Sequence, residues 1–262
     1  MNVVVLANQK GGVGKSTLSV LFAHWLAERH RQHVCVIDLD TQANASKSLR
    51  RFDSGLEAVG LFDDRPVVLP KSTASSIVLI AGSKRLADIE LVKPALVIPA
   101  FRRQVSALVD SFDAVVIDTP PALGLRMSAA LIAGTHVTCP IELEEYSIDG
   151  VTDMLRTIFG IQKRYNAALR MAGIVANRFN PHSARQKASI SELMAHYGEF
   201  VLPGKISTRS AIPEGLADGV PVWQLAKTSA REASAEVLHV FALLKERIDG
   251  AESSSVIKER AV

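Results

Sequence analysis

Apolar residues in this chain follow two alternating patterns. Short, nearly continuous β-branched runs occupy residues 3–7, 34–37, 77–80, 114–117, 136–139 and 173–176. Runs of this kind predict strands covered on both faces, as in a parallel sheet. Between and after them the period changes. Leu18, Leu21, Phe22, Trp25 and Leu26 recur at helical spacing, and so do Val237, Val240, Phe241, Leu244 and Ile248. Each set gives a helix one apolar face. Together the patterns predict an α/β fold, a mostly parallel twisted β-sheet with helices on both faces. No internal repeat or linker divides the chain. Residues 1–248 are expected to form one domain, with 249–262 as a flexible tail containing Ser253-Ser254-Ser255.

Composition narrows the class. Of 262 residues, 48% are hydrophobic and 22% charged, and 30 Lys and Arg against 27 Asp and Glu leave a net charge of +3. That balance fits a globular protein and excludes a disordered polyelectrolyte. No apolar run approaches the roughly 18 residues of a membrane helix, and no secretory signal is expected at the start. Cys35 and Cys139 both lie in strand-like apolar runs. They are too few for a disulfide framework, so a reduced, cytoplasmic chain is expected. The seven histidines show no metal-ligand spacing.

The chemistry concentrates where the first strand meets the first helix, at Lys10-Gly11-Gly12-Val13-Gly14-Lys15-Ser16-Thr17. Glycines let successive N–H groups turn toward a phosphate, and a helix N-terminus adds its dipole. In that setting Lys15 reaches the β- and γ-phosphates, the Ser16 hydroxyl ligates Mg²⁺, and Thr17 bonds the α-phosphate. The usual first glycine of such a loop is replaced by Gln9, and a second lysine, Lys10, stands at its head.

Acidic partners are expected at neighbouring strand ends. Asp118 closes the run 114–117, and Asp38 closes 34–37, with Asp40 two residues further on. Extended backbone would turn Asp38 and Asp40 to the same side, both toward the site. Asp118 is assigned a water-mediated or supporting contact to the metal, Asp40 the orientation of the attacking water, and Asp38 support of metal and loop.

The loop, Asp38-Leu39-Asp40-Thr41-Gln42-Ala43-Asn44 and Asp118-Thr119-Pro120-Pro121 together resemble the ParA family of DNA-partitioning ATPases, the deviant Walker A class of P-loop NTPases that also includes MinD. The resemblance runs from residue 1 to about residue 248. It implies ATP and Mg²⁺ as ligands and slow basal hydrolysis to ADP and phosphate. It also implies a homodimer closed around ATP, in which Lys10 reaches the partner's nucleotide. Lys10, Lys15 and Asp40 match the family's catalytic positions, and Asn177 matches a position that often contacts adenine. Residues 140–142 with Tyr146 and Gly150 resemble a segment near the dimer interface. Ser207 stands where many members have a proline that packs on adenine, and Arg209 is displaced by one position. Without a helix-turn-helix before the first strand, the chain resembles the short form, for which specific operator binding is not expected.

Charge is uneven along the chain. Residues 163–209 hold eight Lys and Arg against two acidic residues. Such a patch suits sequence-independent contact with DNA phosphates, with Arg178, Arg185, Lys187, Lys205 and Arg209 as the expected contributors. The family implies association with the nucleoid and a ParB-like centromere-binding partner that stimulates hydrolysis. Two alternatives stand beside this reading. One is a MinD-like membrane-cycling ATPase, which would need a C-terminal amphipathic helix. The other is an ATPase that positions a protein cargo. Membrane association is not expected, because the last seven residues are short and carry no aromatic side chain.

Overall fold

A computed structural model describes residues 1–68, 76–143 and 148–250. Eight strands occur in chain order: β1 (Asn2–Leu6), β2 (Val34–Asp38), β3 (Asp53–Glu57), β4 (Ile77–Ala81), β5 (Ala114–Asp118), β6 (His136–Glu142), β7 (Arg170–Phe179) and β8 (Val201–Ser207). They form one sheet in the order β3-β4-β2-β5-β1-β6-β7-β8, and the registered neighbours are parallel. The helices are α1 (Lys15–Arg29), α2 (Asn44–Ser48), α3 (Pro94–Ala107), α4 (Leu125–Ala133), α5 (Ile148–Arg164), α6 (Ala184–Tyr197), α7 (Ala211–Ala217) and α8 (Thr228–Gly250).

Strand alternation divides the interior into two cores. Val3 and Val5 of β1, with Cys35 and Ile37 of β2, point to one face, covered by α3, α4 and α5. Val4 and Leu6, with Val34 and Val36, point to the other, covered by α1 and α8. Both helical stripes read from the sequence are buried there. They meet at Phe22 and Phe241, whose rings lie edge to face with centroids 5.2 Å apart. Cys35 and Cys139 are buried free thiols, and burial pushes both well above the usual thiol range. They act as small apolar residues in the first core.

All six sequence-read strands are present, and they occupy the interior of the sheet. The two additional strands, β3 and β8, are its edges. Helix α8 continues to Gly250, two residues past the expected end of the domain at 248, and the rest of the expected tail lies outside the described residues. So does Tyr146. Among the described residues, no helix is long and apolar enough to cross a membrane.

The order β2-β5-β1 positions the site. It sets the carboxyl ends of three adjacent parallel strands side by side, with Leu6 opposite Asp118 and Asp118 opposite Asp38. Ligands bind at such strand ends in open α/β sheets.

Candidate nucleotide site

The loop after β1 is braced on both sides. Asn8 is buried, its Nδ2 donates to the Pro140 carbonyl at 2.7 Å, and its Oδ1 accepts the Lys10 N–H at 2.9 Å. At the far end, Asn177 Nδ2 donates to the Val13 carbonyl at 2.8 Å. Gly14 then enters α1 with φ of 96°, and a Cβ there would collide with the Asn177 amide. Glycine is therefore required both by the left-handed backbone and by the close approach. No side chain caps α1, so its first N–H groups remain available to an anion.

Gly11, Gly12, Gly14, Lys15, Ser16 and Thr17 form one wall of a cavity of about 260 Å³, faced by Asp40, Asn44, Pro121 and Arg178. Lys15 Nζ donates to the Lys10 carbonyl at 2.9 Å and closes the loop on itself. Burial lowers the Lys15 pKa, while the Asp118 and Asp40 carboxylates oppose that shift. Lys10 is half-buried and is not among the residues lining this cavity.

Asp38, the last residue of β2, and Asp40, two residues beyond it, have different partners. Asp38 Oδ1 accepts the Asp40 N–H at 3.0 Å, and Asp40 Oδ1 accepts the Gln42 N–H at 3.0 Å. Two successive side-chain turns thus bend the chain away from the strand line. Asp38 Oδ2 accepts both the N–H and the hydroxyl of Ser46, at 2.9 and 2.7 Å. With both oxygens engaged and the residue fully buried, Asp38 shapes the loop and does not line the cavity. Asp40 alone of the pair lines the cavity. Beneath them, the Gly82 N–H donates to Ser46 Oγ at 2.9 Å. A Cβ on Gly82 would lie 2.8 Å from the Asp40 carbonyl and 2.9 Å from Asp38 Cγ.

Asp118 is fully buried. Burial pushes its pKa up to about 8, with the Asp38 charge adding to the rise and Ser16, Ser19 and Lys15 opposing it. Oδ1 accepts the Ser19 hydroxyl at 3.1 Å, whereas Oδ2 is buried without a partner. An orphaned carboxylate oxygen beside a serine hydroxyl is a fitting support for a hydrated Mg²⁺, which binds through few protein ligands and keeps several waters. Among the described residues no cluster of three or more His, Cys, Asp or Glu could hold a metal by itself. That suits an ion whose remaining ligands come from water and phosphate.

A second cavity of about 350 Å³ adjoins the loop and is lined by Thr17, Glu142, Asn177, Ser207, Ile212 and Pro213 among others. Asn177, expected near a base, does line it, but its amide is also committed to Val13. Ile212 and Pro213 supply the apolar wall that Ser207 cannot.

The five basic residues sit in different settings. Arg178 holds φ of 52°, lines both cavities and lies 3.8 Å from Glu142. Arg209 is paired with Glu232 and Glu236 at 2.6 and 2.9 Å, and it too lines the second cavity. Arg185 and Lys187 are exposed on α6. Lys205 is exposed on edge strand β8, with its ammonium 4.3 Å from the centre of the Phe179 ring. The geometry therefore draws Arg178 and Arg209 toward the nucleotide cavities and leaves Arg185, Lys187 and Lys205 facing outward.

Sequence reasoning missed Ser19, Ser46, Glu90 and Arg126. Ser19 follows Ser16 by three residues on α1, a spacing that places both on the face toward Asp118. The other three had no local signal, because their partners lie 8 to 87 residues away in the chain.

A glycine-rich loop between strand and helix, with carboxylates on the adjacent strand ends, defines a P-loop nucleotide hydrolase. A family profile described as an AAA domain matches residues 1–171. The chain is 39% identical to Protein IncC of Escherichia coli over 246 residues, covering 90% of this chain and 67% of that protein. It is 30% identical to the chromosome-partitioning ATPase Soj of Thermus thermophilus, covering 86% and 89% of the two chains. The ATP complex of a Cyanothece McdA variant superposes with a TM-score of 0.78 at 17% identity, covering 98% and 99% of the two chains, and shares the fold. The chain belongs to the ParA family of P-loop ATPases.

Proposed function

We propose that this chain is a partition ATPase that uses Mg-ATP to close a homodimer, holds duplex DNA without sequence preference while the nucleotide is intact, and releases it on hydrolysis. The observation that carries the reading is that Lys15, Ser16 and Asp40 line one cavity while Asp118 lies buried behind it. The loop N–H groups and Lys15 bind the phosphates. Ser16, with Asp118 acting through water, would hold Mg²⁺, which when bound neutralises charge on the β- and γ-oxygens. Asp40 orients the water that attacks the γ-phosphorus in line, the bond to the β-phosphate oxygen breaks, and ADP and phosphate leave. Catalysis is positioning plus electrostatics, and among the described residues no strong general base lines the site, so basal turnover is slow.

Lys10 heads the loop but does not line its own cavity, which supports a role across a dimer seam. Arg185, Lys187 and Lys205 supply the outward charge for DNA, and pairing two copies doubles it. A ParB-like partner then accelerates hydrolysis by reshaping residues 38–44 and 118–124. The protein would work in the cytoplasm on the nucleoid.

Comparing Lys10→Ala, Lys15→Ala and Asp40→Ala for dimerisation, DNA binding and phosphate release tests this. Asp40→Ala should dimerise and bind DNA with Mg-ATP but not hydrolyse it. Lys15→Ala should fail to handle nucleotide. Lys10→Ala should bind nucleotide but stay monomeric. A wild-type protein that remains monomeric with Mg²⁺ and a non-hydrolysable ATP analogue would overturn the proposal.

A further inference from the structure

Arg126, the second residue of α4, is only 8% exposed. A guanidinium held that far from water needs partners, and it has two. Nε donates to Glu90 Oε1 at 2.8 Å, and Nη1 donates to the Leu39 carbonyl at 2.9 Å. Leu39 is fully buried and lies between Asp38 and Asp40. Its carbonyl belongs to the same peptide unit as the Asp40 N–H, so in a planar trans peptide the two point in opposite directions. Arg126 holds one end of that unit, and Asp38 Oδ1 holds the other at 3.0 Å. The Leu39 N–H is tied in turn to the Asp118 carbonyl at 2.9 Å. The peptide plane from which Asp40 departs is therefore held at both ends, and the peptide unit before it is anchored as well.

Glu90 in turn fixes the arginine. Its Oε2 accepts the Leu125 N–H at 2.7 Å, so one carboxylate both caps the start of α4 and clamps the Arg126 side chain. Neither Arg126 nor Glu90 lines the phosphate cavity.

We propose that Arg126, clamped by Glu90, is a positioning residue for Asp40: it sets the Leu39–Asp40 peptide and thereby aims the Asp40 carboxylate at the attacking water. The inference rests on the hydrolytic role given to Asp40 above. It also links α4, which follows the Asp118 turn, to the loop after β2 through one side chain. The phosphate loop lies outside this linkage, so nucleotide binding and turnover separate.

The test compares Arg126→Met, Arg126→Lys and Glu90→Gln with wild type in Mg-ATP turnover, nucleotide affinity, thermal melting and amide exchange at residue 40. Arg126→Met should lower kcat by about 10- to 100-fold, the scale of a small misplacement of a reacting group. KM should stay within about twofold, because the loop that binds the phosphates is untouched. Arg126→Lys should restore part of kcat, since an ammonium still reaches the Leu39 carbonyl. Glu90→Gln, at a residue whose side chain is one-third exposed, keeps the fold and should give a smaller loss of the same kind. Amide exchange at Asp40 should speed up in Arg126→Met without nucleotide, a readout independent of catalysis. Wild-type kcat in a folded Arg126→Met or Glu90→Gln protein, or equal losses in affinity and turnover, would overturn the inference. Failure of the functional reading looks different, because wild type would then be inactive or Asp40→Ala would hydrolyse normally.

Discussion

The side-chain amide of Asn177 donates to the Val13 carbonyl at 2.8 Å, so the carboxyl end of β7 holds up the phosphate loop at the point where it enters α1. The same amide occupies the space that any side chain at position 14 would need. Asn177→Ala leaves a buried carbonyl without its donor and should cost about 1–3 kcal/mol of stability, with a parallel loss of nucleotide affinity. Gly14→Ala should be worse, because it adds backbone strain to the collision. Urea unfolding together with nucleotide titration distinguishes the two. Equal behaviour of both variants and wild type would remove the support assigned to Asn177.

Asp118→Asn should separate stability from activity. The wild-type carboxylate is buried with one oxygen unpartnered, and its pKa is raised to about 8, chiefly by burial. A neutral amide of the same shape relieves that burden, so melting without nucleotide should be unchanged or raised. Support of the hydrated Mg²⁺ is lost, and Mg²⁺-dependent affinity should fall by about 10–100-fold. Melting curves and phosphate release at several Mg²⁺ concentrations are the measurements.

The outward cations and the paired cations should respond differently to substitution. Arg185→Ala and Lys187→Ala should each reduce the salt dependence of DNA binding by roughly 0.9 in log–log slope if each neutralises one phosphate. Arg209→Ala should leave that slope nearly unchanged, because Glu232 and Glu236 already neutralise its guanidinium. It should instead disturb Ser207, whose N–H and hydroxyl are held by Glu236 at 2.7 and 3.0 Å. A slope change confined to Arg209→Ala would reverse this assignment.

Acid should destabilise the protein through His136. Burial, helped by the Arg170 charge, pushes its pKa down to about 4 from an ordinary 6.5. Below pH 6.5 the unfolded chain takes up a proton that the folded chain refuses until about pH 4, so stability falls as pH drops through that window. The loss amounts to on the order of 3 kcal/mol. His24 is shifted in the same direction, first by burial, and adds to the trend. His136→Gln should therefore lose less stability than wild type between pH 7 and pH 4.5 in urea unfolding, and identical losses would contradict the assignment.

Much of this architecture was legible because buried parallel strands leave an unbroken apolar signature. Residues 34–37 and 114–117 are covered on both faces and could be read directly. The edge strands could not. β3 reads Asp-Ser-Gly-Leu-Glu with alternating exposure, and β8 carries Pro203 and Gly204, both poor strand formers. The phosphate loop was legible for a related reason: its chemistry is local, so its residues are contiguous. The direction of Asp38 was not. Extended geometry put it beside Asp40, but the Ser46 hydroxyl, supplied by the following helix, captured it. The Glu90–Arg126–Leu39 linkage left no trace in the sequence because it joins three distant segments through side chains alone.

Gly82 gives the acidic loop a floor. Just past the end of β4, a Cβ at position 82 would come within 3 Å of Asp38 and Asp40, so bare glycine backbone sits close beneath the loop and leaves it little room to retreat into the protein. Any rearrangement there must swing outward, over the phosphate cavity, like a hatch that opens in one direction only. A larger residue at position 82 would wedge that hatch ajar, leaving the lysines and glycines of the loop intact but the acid out of reach.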